Sequence, residues 1–236
     1  MNSKDYEMES DRLTKIHSTG YWRVNIRPAR QVSDSTSTLT KCREIVRSSA
    51  VELRGWDYPH WDEREVRNGQ NWVEGGCDWA GYIEYWRYYQ SGQFIHHFAM
   101  TEDYDQQPSA GTAKKREAPP FLYITSTLYT LTEIYEFATR LAAKEALGLG
   151  ALVSITLFGT EGRELIAEPG RWPVRSYVCQ LPKIEYNAHP TTADLLSGAG
   201  NLAVEAAVYL FERFNWTNPP KSLFTQEQAK LLEGRL

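Results

Sequence analysis

The stretch Tyr82-Ile83-Glu84-Tyr85-Trp86-Arg87-Tyr88-Tyr89-Gln90-Ser91-Gly92-Gln93-Phe94-Ile95-His96-His97-Phe98-Ala99-Met100 decides how the chain is read. Aromatic residues crowd both of its arms, a composition that suits extended backbone, and Gln90-Ser91-Gly92-Gln93 supplies a turn between them. The stretch predicts a β-hairpin. His96 and His97 are neighbours on the second arm, so a regular strand sends them to opposite faces and they cannot serve one metal together. One is expected to be buried and hydrogen-bonded, and the other to face a pocket with Glu84 or Arg87 of the paired arm.

Upstream, Trp22, Val24 and Ile26 alternate with Arg23, Asn25 and Arg27. That period of two predicts a half-buried strand ended by Pro28. A Ser/Thr-rich turn at 33–38 follows, then Leu39, Cys42, Val46 and Leu53 at helical spacing, with Gly55 where a C-terminal cap is expected. Residues 1–19 are polar and aperiodic and read as a flexible lead-in. Downstream, residues 101–120 carry Pro, Gly, Gln and charges without apolar periodicity and read as a linker, with Lys114-Lys115-Arg116 as a solvated loop face.

Beyond the linker, Phe121 to Leu128 reads as a strand and Thr130-Leu131-Thr132-Glu133 matches a helix capping box. Leu131, Ile134, Tyr135, Ala138, Leu141 and Ala142 then mark an amphipathic helix ending at Gly148 or Gly150. Ala151 to Phe158 and Arg163 to Glu168 flank Gly159-Thr160-Glu161-Gly162 as a second hairpin, and Val174 to Leu181 adds a strand. A long helix spans Thr192 to Phe214, where Ser197-Gly198-Ala199-Gly200 permits close backbone approach or a dimer seam. A terminal helix starts at Thr225, with Gln228 completing another capping box.

Together these elements predict an α+β fold, antiparallel strands covered mainly on one side by three major helices. The order can be written as two βαββ halves, 20–100 and 121–190, within a single domain over 20–236. The chain has 236 residues, 26 Lys+Arg and 30 Asp+Glu, a net charge of −4, and 42% hydrophobic residues. That is an ordinary globular composition, and its net acidity argues against a dedicated nucleic-acid binder. Cys42, Cys77 and Cys179 are widely spaced with no metal-ligand pattern, which fits a cytoplasmic protein with reduced thiols. The N-terminus lacks an apolar signal region and no stretch reaches 18 apolar residues, so no membrane partner is expected.

Chemistry concentrates around the tryptophans. Five of the 8 Trp, namely Trp56, Trp61, Trp72, Trp79 and Trp86, fall between positions 56 and 86. The first four are placed on a long irregular crossing and Trp86 on a strand, so the cluster reads chiefly as the anchor of a loop region. Arg23, Arg27, Arg54 and Arg87 are candidates for a phosphate or carboxylate, and rings beside arginines suit stacking. Gly75-Gly76 and Gly148-Leu149-Gly150 match no phosphate-binding loop, and no hydrolase, kinase or metalloprotease signature appears.

Leu53-Arg54-Gly55-Trp56-Asp57-Tyr58-Pro59-His60, with Tyr85-Trp86-Arg87-Tyr88-Tyr89-Gln90-Ser91-Gly92-Gln93-Phe94, resembles an uncharacterised group of bacterial proteins, over about Tyr21 to Phe98. The resemblance implies a bacterial cytoplasmic origin and a role as an accessory or sensing part of a larger system. It implies no activity. The reading that follows is a non-catalytic binding module, recognising a small anionic ligand or a protein partner through Arg54, Trp56, Tyr58, Trp86, Arg87 and His96, with no cofactor. Its rivals are a metal-assisted hydrolase or nuclease using Asp57, His60, Glu84 and His96, and a structural subunit of a homo-oligomer.

Overall fold

The computed structural model describes residues 11–30, 36, 38–79, 81–105, 119–168 and 176–235. Outside them lie residues 1–10 of the expected lead-in, most of the 33–38 turn, residues 106–118 of the expected linker with its basic triplet, and the start of the strand expected at 174–181.

The alternating stretch forms strand β1 (Tyr21–Pro28), and the aromatic hairpin forms β6 (Tyr82–Tyr89) and β7 (Phe94–Ala99), with Trp86 opposite His96 and Glu84 opposite Phe98. With β4 (Arg67–Asn68), β5 (Trp72–Trp79), β9 (Ala151–Phe158) and β12 (Lys183–Ala188) they build a seven-stranded antiparallel sheet in the order β12-β9-β1-β7-β6-β5-β4. Strand β1 pairs with β7 on one side and β9 on the other, so one sheet takes strands from both stretches flanking the expected linker. Three short strands, β8 (Phe121–Tyr123), β10 (Glu164–Ile166) and β11 (Tyr177–Val178), form a second sheet, and β2 (Val51–Glu52) pairs with β3 (Asp57–Tyr58).

Helices α2 (Leu39–Ser49), α4 (Ile124–Ala143), α5 (Thr192–Arg213) and α6 (Lys221–Leu232) share one core with the apolar positions Trp22, Val24, Ile26, Trp86 and Phe94 of the sheet. Phe94 meets Phe137 of α4 at 4.6 Å between ring centres. The architecture is α+β. A separate small core on the opposite face packs α1 (residues 11–17) through Ile16 onto Ile83, Tyr85 and Ala99. That part of the lead-in is therefore ordered, because Leu13 and Ile16, three residues apart, give a charged segment one apolar edge.

Several local expectations fail for identifiable reasons. Helix α2 stops at Ser49, and Val51 turns into β2, so the helical spacing of Leu53 is accidental. Helix α4 begins at Ile124 with no side-chain cap, leaving Thr130 and Glu133 well inside it and Thr132 bonded back to the Leu128 carbonyl at 2.9 Å. The second hairpin does not form, since β10 pairs in parallel with β8 and antiparallel with β11. Arg163 accounts for the turn away: buried, it holds both carboxylate oxygens of Asp103 at 2.7 and 2.8 Å and the Phe121 and Gly159 carbonyls. The same contacts tie down the start of the expected linker, which is helical as α3 (Thr101–Asp105).

Helix α6 begins at Lys221, and Gln228 is buried in it rather than capping, donating to Thr132 Oγ1 at 2.9 Å and the Gly200 carbonyl at 3.1 Å. The small-residue run of α5 thus receives a helix of the same chain. Trp72 and Trp79 end strand β5 and do not sit on an irregular crossing. The glycines between them serve packing: a Cβ at Gly75 would lie 2.5 Å from the Trp86 indole, and Gly76 has φ +147° with the Glu84 carbonyl 2.2 Å from its would-be Cβ. Trp86 is consequently fully buried, stacked on Trp61 and donating to the His60 carbonyl at 2.9 Å. These two rings do anchor the loop.

Candidate functional site

The β2–β3 ladder places the site. Its register, Val51 opposite Tyr58 and Glu52 opposite Asp57, closes a tight loop that needs the φ of +84° at Gly55. The loop carries Arg54 and Trp56 over helix α4. Arg54 donates through Nε to Glu133 Oε1 at 2.9 Å, through Nη2 to Glu133 Oε2, and through Nη2 to Thr130 Oγ1 at 3.2 Å. Its guanidinium lies 5.2 Å from the Trp56 ring, which is 46% exposed. The i, i+3 spacing that imitates a capping box here puts a hydroxyl and a carboxylate on one side of a helix, aligned for one arginine.

Beneath this lid is a cleft of about 230 Å³, floored by Trp22, Tyr58, Tyr82 and Phe98 and walled by Glu102 of α3 and by Thr127, Thr130 and Glu133 of α4. Tyr58 is 3% exposed, packed edge-on against His96, Phe98 and Phe137. Its hydroxyl and that of buried Thr127 have no hydrogen-bond partner among the described residues. Tyr82 donates to Glu84 Oε2, the His60 amide donates to Glu84 Oε1 at 2.7 Å, and His96 Nε2 stands 3.3 Å from Glu84 Oε2. Glu84 and His96 are fully buried, one layer behind the cleft.

Burial sets the acid–base character. It raises the Glu133 carboxyl, only partly opposed by Arg54, and raises Glu102, opposed by its own amide, the Tyr123 amide and Arg163. Burial would raise Glu84 too, but the nearby imidazole and the hydrogen bonds it accepts hold it below the usual carboxylate value. Burial and then the Glu84 and Glu133 charges push the Tyr58 phenol well up, and Tyr82 follows for the same causes. Both phenols stay protonated at neutral pH.

Of the expected site residues, Arg54, Trp56 and Tyr58 meet at this cleft and His96 touches Tyr58 from behind. Trp86 is core. Arg87 is a correction: it pairs across from Ile95 while Trp86 pairs with His96, so it projects from the other face. There it binds Glu74 at 2.7 Å and lies 4.0 Å from the centre of the Trp72 ring. The remaining histidine, His97, also faces away, with Nδ1 3.1 Å from His17 Nε2. Neither Glu84 nor Arg87 joins it in a pocket.

The four residues of the hydrolase reading divide. Glu84 and His96 meet, but the His60 ring turns to Trp79 at 4.5 Å, with Nδ1 3.8 Å from Asp57 Oδ2. Among the described residues, no group of three or more His, Cys, Asp or Glu is placed to hold a metal ion. The site residues that sequence reasoning missed are acids and hydroxyls: Glu102, Glu133, Tyr82 and Thr127. Glu84 carried a signal, since it alternates with Tyr82 and Trp86 on the buried side of a strand where an unpaired carboxylate is costly. Chemically the arrangement offers a part-exposed ring, buried acceptors and two unpaired hydroxyls around a small cleft. No protein-family model matches the chain, and neither a curated protein nor a solved structure matches it.

Proposed function

We propose that the chain is a non-catalytic binding or sensing module that takes a small molecule into the cleft between the Arg54–Trp56 loop and helix α4. One observation carries the reading: the Tyr58 and Thr127 hydroxyls are buried at the cleft without a partner among the described residues. A buried hydroxyl left unpaired costs about 1–3 kcal/mol, a cost that a bound ligand removes. The half-exposed Trp56 supplies a face on which a ring or apolar body stacks.

The resemblance of the Leu53–His60 and Tyr85–Phe94 segments to bacterial proteins supports a bacterial setting, and the three free thiols support a cytoplasmic one. Among the described residues, no helix is long and apolar enough to cross a membrane. A simple anion is poorly served, because Arg54, the cation lining the cleft, is already engaged by Glu133.

The test is a thermal-shift and tryptophan-quenching screen against a metabolite library, run on the parent, Tyr58→Phe and Trp56→Ala. A hit should shift the parent and weaken in both variants. Hits indifferent to both substitutions, or a parent indifferent to the whole library, would remove the cleft as a ligand site.

A further inference from the structure

We propose that the cleft is selective for a small organic cation, an ammonium group carried on an apolar body. This deepens the reading of the cleft as a binding site and rests on it. The inference follows from where the donors go. Arg54 spends Nε and Nη2 on Glu133 and Thr130, and the Tyr82 proton is committed to Glu84. Glu102, 5% exposed, accepts from the Tyr123 amide and the Thr101 hydroxyl, both at 3.3 Å, and keeps lone pairs beyond those two bonds.

What the lining leaves for a ligand is acceptors in the remaining lone pairs of Glu102 and Glu133 and the Tyr82 oxygen, beside the unpartnered Tyr58 and Thr127 hydroxyls, which can accept as well as donate. A ligand that brings donors meets these acceptors directly. Charge points the same way, because Glu102 and Glu133 face a single guanidinium in the lining. Trp22, Trp56, Tyr58 and Tyr82 add aromatic rings to the lining, the residue class that attracts cations through its negative quadrupole. An anion would compete with Glu133 for the Arg54 guanidinium and would sit beside two buried carboxyls. Because burial raises the Glu102 carboxyl, an incoming cation also favours its ionised form.

The experiment titrates the intact chain with benzylammonium, tetramethylammonium, glucose, benzoate and inorganic phosphate, read by tryptophan fluorescence and calorimetry. Benzylammonium should bind at least ~10-fold more tightly than benzoate, phosphate or glucose, the scale of one charge-assisted hydrogen bond. Glu102→Gln should weaken it by roughly the same factor, while Arg87→Ala on the opposite face leaves it unchanged. In the parent, affinity should fall as the pH is lowered through the raised value of Glu102, which then takes up a proton.

Benzoate, phosphate or glucose as the tightest probe, with its binding lost in Tyr58→Phe, overturns the cation while leaving the cleft a binding site. Binding of benzylammonium that ignores both Tyr58→Phe and Trp56→Ala overturns both readings. Silence of all five probes overturns the cation, and the library screen then decides the cleft by itself. Should Glu102→Gln fail to fold, the pH profile of the parent decides: affinity that is flat or rises on acidification overturns the proposal.

Discussion

His96 and His97 are consecutive residues on β7, yet they belong to two different chemical environments. On the helix-covered face, His96 sits fully buried beside Glu84, behind a cleft whose acids are raised by burial. On the opposite face, His97 shares a hydrogen bond with His17 of α1, near a sheet surface where Arg87 stacks on Trp72 and pairs with Glu74. The pleat alone separates them. The comparison teaches that charge on this sheet is managed in two ways: by acid-rich burial on one face, and by neutral imidazoles and a part-buried arginine–glutamate pair on the other.

The largest way to break the contrast is on the helix side. Arg54→Met leaves Glu133, whose side chain is fully buried, without its partner and should cost about 3–5 kcal/mol in denaturant unfolding. Arg54→Met with Glu133→Met should recover most of that loss. A double variant no more stable than the single one would show that the ion pair is not what matters at this position. Gly75→Ala should come next, at about 1–3 kcal/mol, because its methyl would lie 2.5 Å from the Trp86 indole that β5 must accommodate.

The two faces should also respond oppositely to pH. Burial, helped by His17, His96 and Arg23, lowers the His97 pKa to about 3. Its unfolded value is about 6.5, so between the two the unfolded chain binds a proton that the folded chain does not. Stability from this face is complete above about pH 6.5 and falls as the pH drops, by at most about 1.4 kcal/mol per pH unit. Glu102 and Glu133, raised above their unfolded values, have the reverse sign: their contribution is present at low pH and is lost as the pH rises through their folded values. His97→Gln should flatten the acid limb of a stability-against-pH curve, whereas Glu102→Gln, which removes a contribution of the opposite sign, should not flatten it. An unchanged acid slope in His97→Gln would place the titration elsewhere.

Which parts of this were legible follows from the range of the interactions involved. Alternation at Trp22, Val24 and Ile26 and the aromatic hairpin reported local backbone, and both elements formed. The insertion of β1 between β7 and β9 joins residues over a hundred positions apart, and no periodicity carries that. Thr130 and Glu133 were visible as a pair but assigned to the wrong task, since a capping box and a one-turn binding ladder share the same spacing. Arg54, Trp56 and Tyr58 were found together because one tight loop holds them. Arg87 was misplaced by following sequence proximity across a pleat. Glu102 reaches the site through contacts distant in sequence: Arg163 and the Gly20 amide hold its neighbour Asp103, and the Tyr123 amide donates to Glu102 itself.

The smallest expected stability effect is the sharpest probe of what the cleft face is for. Trp56 is 46% exposed and contributes no strand pairing, so Trp56→Ala should change unfolding free energy by no more than about 0.5 kcal/mol. Trp79, 53% exposed at the end of β5, is its control, half-exposed but lining a different groove with His60 and Asp78. If Trp56 is part of a ligand face, Trp56→Ala should abolish ligand-dependent quenching while Trp79→Ala preserves it, at matched stability. Equal loss in both would mean that exposure alone, and not the cleft, governs the signal. A large destabilisation by Trp56→Ala would instead make that ring a structural cover for the Arg54–Glu133 pair, held by the guanidinium at 5.2 Å.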